Sequence, residues 1–492
     1  MVNYLILFPT QLFSTSVLNS LIKTNYKIIL WEHPYYMSRY KYHKLKLAFH
    51  RASMTYYANQ TKSYYIESDK FNTPVKITKS DTLLFIDPIE HDMLKNIVLL
   101  AKSLKCNYII HNSPYFLNQP ADETGITRHD VFYKYQRVKH DIMLKHIGNK
   151  TEPEGGKWSF DTENRLPFEK NQTEPKLIKT SNNEKKYINQ AIKYILDKYP
   201  NNYGNLESQY FIYPISHKSA NNWLKHFVKN KLDNFGKYED AISIHIKFGY
   251  HSLLSPLLNV GLITPLQILT EVEKYKKNIA SKEGFIRQVF GWREYCHYIY
   301  SNYDKYLMSH TFYNKNKLKI PLKFWNANTN IPIIDNILTK INNYAYSHHI
   351  ERLMCIGNYM LLVGISQKEI YKWFQTMYID SYDVFMNPNV FGMLCYGFIS
   401  NNKHMMTKPY LCSSNYIKKM AKYGLEKQIN EPHNKWDEIL DALYYCHINT
   451  YKNIFKHIYS TAPAVSILSQ FPNSQLHKYK LIKKQYLKQL YM

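Results

Sequence analysis

The chain has 492 residues, 45% of them apolar, which is enough for a large core and about three domains' worth of length. Lys and Arg number 64 against 38 Asp and Glu, and the formal charge of +26 favours a polyanionic partner, nucleic acid first. Lysine shares its abundance with Asn, Ile and Tyr, so part of that charge is compositional drift. No apolar run approaches the ~18 residues of a membrane span. The start, Met1-Val2-Asn3, has no basic segment of a signal peptide. The six cysteines contain no CxxC pair, which excludes a disulfide framework and a zinc module. A reducing cytosolic or nuclear setting, no membrane partner and a monomer are expected.

The first third alternates short apolar runs with helical stretches. Strands are expected at Tyr4–Phe8, Lys27–Trp31, Thr82–Ile86 and Asn107–Ile110, with a helix over Met93–Leu104. Strands interleaved with helices predict a parallel α/β sheet. No GxGxxG follows the first strand, so a standard dinucleotide fingerprint is not expected. Residues 136–200 lose the pattern, with the loop-forming run Thr151-Glu152-Pro153-Glu154-Gly155-Gly156-Lys157-Trp158. Beyond Glu207 the apolar spacing is helical, notably over Asn336–Gly364 and Ser366–Tyr378. The expected organisation is an α/β Rossmann-like domain at 1–135, an interdomain linker at 136–200 and an all-helical domain at 201–492.

Three segments stand out from generic helix. Phe248-Gly249-Tyr250-His251-Ser252-Leu253-Leu254-Ser255-Pro256 places two hydroxyls three residues apart at a helix start, where they can donate to a phosphate or simply cap the helix. Gln288-Val289-Phe290-Gly291-Trp292-Arg293-Glu294 reads as a half-buried helix with an Arg–Glu pair. Tyr346-Ser347-His348-His349 offers one imidazole as a proton donor or acceptor. Adjacent histidines on a helix point ~100° apart, so the pair is expected to be a poor joint metal ligand, and no metal site is expected.

These segments, in this order, resemble the photolyase/cryptochrome superfamily. Ser252-Leu253-Leu254-Ser255-Pro256 is similar to its flavin-phosphate motif and Trp292-Arg293-Glu294 to its WRE helix. Thr329-Asn330-Ile331-Pro332-Ile333-Ile334-Asp335 is similar to its T-G-x-P-x-x-D segment, with Asn330 in place of glycine. The prokaryotic (6-4) photolyase branch, also called iron–sulfur bacterial cryptochromes, is the nearer resemblance. It is carried by Leu30-Trp31-Glu32-His33-Pro34, His50-Arg51-Ala52-Ser53-Met54, Gly155-Gly156-Lys157-Trp158, Tyr346-Ser347-His348-His349 and Lys408-Pro409-Tyr410.

The resemblance implies a helical domain that holds FAD and a light-dependent repair of flipped pyrimidine lesions in UV-damaged DNA. It implies contacts to the cofactor from Tyr250, Ser252, Leu253, Leu254, Ser255, Gln288, Arg293, Arg352, Asp380, Asp383 and Asn389. His349 would deliver the proton that a (6-4) repair needs, with His348 and Tyr410 beside it. Trp373 and Trp325 would relay electrons from the surface, and Phe374 stands where relatives carry a tyrosine. A ribityl-lumazine antenna would meet Gln11, Glu32 and His33. The branch's cluster cysteines align with Ile333, Gly424, Lys427 and Glu431, none of which supplies a thiolate, so no 4Fe-4S cluster is expected. Packing by Trp436, Leu440, Leu443 and Tyr444 would take its place. The alternatives are a blue-light receptor of the cryptochrome kind, a cyclobutane-dimer photolyase, and a scaffold that only binds DNA.

Overall fold

The computed structural model describes residues 1–67, 69–119, 125–400, 403–422 and 435–492. A five-stranded parallel sheet forms from β1 (Asn3–Leu7), β2 (Lys27–Trp31), β3 (Tyr64–Ile66), β4 (Thr82–Ile86) and β5 (Asn107–His111), in the order β3-β2-β1-β4-β5. Leu5 lies opposite Ile28 on one side and Leu84 on the other. Leu5, Ile6 and Leu7 are wholly buried, as central parallel strands covered on both faces require. The expected strands appear within a residue of their predicted limits. The edge strand β3 is new: Tyr64-Tyr65-Ile66 is three residues long, too short for an alternation to show in sequence.

Helix Lys44–Thr61 crosses beside this sheet, its first turn capped by His43 Nδ1, which accepts from the Leu45 N–H at 3.1 Å. The other ring nitrogen of His43 lies 3.0–3.1 Å from the Ile341 and Asn342 carbonyls in the helical region. Gly204, at φ +77°, leaves room for that ring; a Cβ there would stand 2.0 Å from it.

Residues 136–200 carry a hairpin (Leu144–Ile147 with Lys150–Pro153) and a 17-residue helix, Asn182–Lys198. That helix packs against Lys44–Thr61. From His217 onward the chain is nearly all helix. Asn330 sits at φ +63°, the left-handed region that glycine favours and asparagine tolerates best among the other residues. Asp335 then accepts from the Thr329 and Asn330 N–H groups, closing the start of helix Pro332–Tyr344.

The helix expected over Asn336–Gly364 is interrupted. Tyr344 ends one helix, Ala345 turns at φ +51°, and Tyr346, Ser347 and His348 form a loop before the chain coils again. Near the C-terminus Trp436, Leu440 and Leu443 are buried and Tyr444 is half-buried, in a helix that packs on Asn473–Tyr491 and Asn358–Val363. Ile333 is buried in Pro332–Tyr344, whereas Gly424, Lys427 and Glu431 lie outside the described residues. All six cysteines are free and buried.

Candidate functional site

The helical region holds a partly open cavity of about 270 Å3, close to the lower end of the ~300–1,000 Å3 of a typical small-molecule site. Three of its walls are π-helical: Arg287–Trp292, Glu351–Gly357 and Asn387–Leu394. Such wide turns recur at functional sites because they displace side chains from the regular α register. At Gly357 a Cβ would stand 2.6 Å from Leu394 and 2.8 Å from the Arg352 carbonyl, so glycine lets two of these segments meet.

Of the residues assigned to the cofactor, Ser252, Leu254, Ser255, Gln288, Arg293, Arg352, Asp380 and Asn389 line this cavity. The Arg352 guanidinium grips Asp380 with two bonds of 3.0 Å and donates from Nε to the Ser347 carbonyl at 2.7 Å. Ser255 Oγ adds a bond to Asp380 at 2.6 Å. Arg293 donates to Asn259 Oδ1 at 2.6 Å and lies over the rings of Tyr115, Phe116 and Phe385, while its buried Nε has no partner. Asn389 accepts from Trp292 Nε1 at 2.9 Å and donates to the Phe385 carbonyl at 2.8 Å. Leu253 is buried under the wall at φ +53°, a strained turn for a leucine, and Trp223 Nε1 fastens the Ser252 carbonyl at 2.7 Å. The helix expected after the serines is Ser255–Asn259, with a proline in its first turn.

Two assigned residues lie elsewhere. Tyr250 stacks on Tyr238 and accepts from Gln172 at 2.9 Å. Asp383 is saturated by Tyr35 and Arg39 from the N-terminal region and by Tyr371 and Gln375, and its N–H donates to Glu90. It therefore ties the two regions together, and its carboxylate has no lone pair left for a ligand.

His349 is on the cavity wall, its side chain 41% exposed, with Nε2 3.3 Å from Asp240. Burial alone would lower this imidazole, but the Asp240 bond and the Glu239 carboxylate hold it above the ordinary histidine value. His348 is buried behind it, pushed well below that value by burial and by the neighbouring basic groups. Tyr410 is half-buried and outside the cavity lining; burial raises its phenol, which also feels Asp161 and Asp240, the groups that face His349.

The two histidines are not placed as neighbours on a helix would be. His348 belongs to the loop and only His349 begins the coil, so the ~100° separation does not apply. His251, a residue the motif reading passed over, joins them: one ligand nitrogen from each of the three falls within 4.8 Å of the others.

Trp373 is fully buried behind Phe374, which lines the cavity. Its ring centre is 5.3 Å from Phe374 and 6.4 Å from Trp325, and Trp325 stacks on the half-buried Tyr203 at 4.2 Å. A chain of aromatic rings thus runs from the cavity outward. Tyr378, stacked on Phe374 at 5.3 Å, was not singled out by its sequence context.

Gln11, Glu32 and His33 sit at the C-terminal ends of β1 and β2. Gln11 donates to the Ile86 carbonyl, Glu32 pairs with Arg51 and Tyr65, and His33 caps the helix that follows. The pocket beside Gln11 has room of about 10 Å3, roughly a single water.

Residues 5–211 match the family model described as deoxyribodipyrimidine photo-lyase-related protein. The chain is 33% identical over 312 residues to the "(6-4) photolyase" of Agrobacterium fabrum (strain C58 / ATCC 33970), spanning 63% of this chain and 59% of that protein. Its fold is similar to that of the Synechocystis sp. PCC6803 cryptochrome (TM-score 0.57, 14% identity, 92% of this chain and 94% of that one). It is also similar to that of an archaeal photolyase from Sulfolobus tokodaii with two FAD molecules (TM-score 0.52, 13% identity, 99% and 100%).

Proposed function

We propose that the chain is a member of the photolyase/cryptochrome superfamily and, within it, a DNA photolyase that holds FAD in the helical cavity and repairs (6-4) lesions in UV-damaged DNA. The observation that supports this is the convergence on one cavity of Ser252, Arg293, Arg352, Asp380 and Asn389 with His349 on its wall. The donor set fits the cofactor: hydroxyls at one turn, two guanidinium groups, an amide and an apolar lining. Arg293 Nε, buried and unpartnered, is a donor in want of an acceptor.

FAD in its reduced form supplies the light-driven electron for repair. Ser252, Ser255 and the turn at Leu253 and Leu254 would hold the phosphate groups of FAD, and Gln288, Arg293, Asp380 and Asn389 would hold its rings. Phe285, Phe374 and Phe385 give the cavity an apolar lining. His349 holds its proton within reach of a flipped base. Asp240 occupies Nε2, so Nδ1 is the atom left to donate. His348 packs behind His349, and Tyr410 belongs to the electrostatic surroundings of the same proton. Trp373 and Trp325 carry electrons inward from the surface. The lumazine antenna at Gln11, Glu32 and His33 would need the small pocket there to open. We assign 1–135 to the antenna domain, 136–200 to the connection and 201–492 to the catalytic domain, without an iron–sulfur cluster.

The deciding experiment is light-dependent repair of defined (6-4) and cyclobutane oligonucleotides by the flavin-loaded protein. Repair of the (6-4) substrate alone is expected. Repair of cyclobutane dimers alone would reassign the lesion, and a photoactive protein inert on both would be a receptor.

A further inference from the structure

Two buried imidazoles beside the cavity have nitrogen atoms that bond to nothing. His251 Nε2 and His348 Nδ1 are without partners, on residues only 8% and 5% exposed. A buried polar atom left in this state costs ~1–3 kcal/mol, so the pair is poised for a third party. The two rings lie face to face, 4.5 Å apart and 10° from parallel. His349 stands across them at 68° and 64°, its ring 5.7 Å from His251 and 6.0 Å from His348.

We propose that His251, His348 and His349 form a binding site for one divalent transition-metal ion of the zinc or copper kind. One nitrogen from each already lies within 4.8 Å of the others. A tetrahedral ion with metal–nitrogen bonds of ~2.0–2.1 Å requires nitrogens roughly 3.3 Å apart. The closure needed is about 1.5 Å, within reach of side-chain rotation. Because stacked rings have parallel lone pairs, one of them must turn about χ2, a broad and soft torsion. The His348 ring is the freer one: its only ring contact of the polar kind is Nε2 to Glu351 at 3.5 Å.

Carboxylates stand behind two of the ligands, Glu351 behind His348 and Asp240 behind His349, the arrangement that orients imidazoles on metals. Lys340 and Lys231 add positive charge nearby. Lys340 is bonded to Glu351 at 2.5 Å, and Lys231 is engaged by the Gly249 and His251 carbonyls. Three imidazoles suit zinc and copper, and no carboxylate or carbonyl cage is present among them for magnesium or calcium. The fourth position faces the cavity, which His251 and His349 both line. Metal binding needs only the imidazoles and does not rest on the repair reading, but an ion on His349 Nδ1 would take the atom that reading gives to the proton, so the two uses exclude each other at any one moment.

The test uses the full-length, flavin-loaded protein, stripped with a chelator and titrated with Zn2+ by calorimetry and with Cu2+ by electron paramagnetic resonance. One tight equivalent is expected, with copper hyperfine structure from three imidazole nitrogens. His251→Phe keeps a ring in the stack and should weaken Zn2+ binding about 100-fold, removing one nitrogen from the copper spectrum. His348→Asn provides the second variant. Weak binding shared equally by wild type and both variants would assign the metal to exposed histidines such as His457 and His477 and overturn the proposal. A wild-type copper spectrum without imidazole nitrogens would overturn it without recourse to any variant.

Discussion

Trp373→Phe separates the packing of the aromatic chain from its electron traffic. Trp373 is 1% exposed and is surrounded by Phe324, Trp325, Phe374 and Tyr378. Trimming indole to phenyl vacates roughly 40 Å3, which at ~24 cal/mol per Å3 costs about 1 kcal/mol. The lost apolar area adds ~1 kcal/mol. Against this, Trp373 Nε1 is buried without a partner, and removing it returns ~1–3 kcal/mol. The two sides nearly cancel, and the thermal midpoint should move by only a few degrees. Photoreduction should behave otherwise. A phenyl ring is far harder to oxidise than indole, and Phe374 offers no phenol in its stead. The rate should fall about tenfold or more, a barrier change of at least ~1.4 kcal/mol. Blue-light bleaching of the oxidised flavin, followed beside a thermal melt, reads both quantities. An unchanged bleaching rate would refute the relay and direct attention to Tyr378, which stacks on Phe374.

Asp380→Asn strips the charge from a pair whose other member, Arg352, is 18% exposed; stability should drop by roughly 2–3 kcal/mol in denaturant titration, with loss of bound flavin. His349→Ala should abolish (6-4) repair yet leave DNA affinity within about twofold in a binding titration, because phosphate contacts dominate that affinity. Burial, joined by the Asp383 carboxylate, pushes the Glu90 carboxyl up to about 8. Its contribution to stability is therefore full below the unfolded value near 4.5 and is lost as pH rises through 8. Glu90→Gln should flatten this decline in unfolding curves taken across that window. Elemental analysis of protein prepared without oxygen should find flavin but no stoichiometric iron; about four irons per chain would place thiolates where the sequence has none.

The sheet could be read from sequence because its central strands are unbroken apolar runs, and the cavity wall because serines, WRE and the paired histidines are compact local signals. What escaped depends on backbone geometry. The loop at Ala345–His348 interrupts a helix whose apolar spacing continues through it, since Tyr346 and Ile350 are buried on either side. His251 was hidden inside the serine motif, and only the fold brings it to His348, almost a hundred residues away. Asp383 is given to the cofactor by resemblance alone, and no local pattern in its sequence shows that its carboxylate is already engaged. Its four donors come from two distant segments, one around Tyr35 and Arg39, the other around Tyr371 and Gln375.

The π-helical walls make this cavity fragile to one class of genetic accident. Each wide turn contains what amounts to a surplus residue. Deleting a single codon within Glu351–Gly357 would let that turn tighten to the α form, with its hydrogen bonds intact. Everything on one side of the deletion would then rotate by about 100° relative to the other. Arg352 would swing away from Asp380, or His348 and His349 away from His251, while the helix itself stayed stable. Length variation in these three segments should therefore silence the protein without unfolding it.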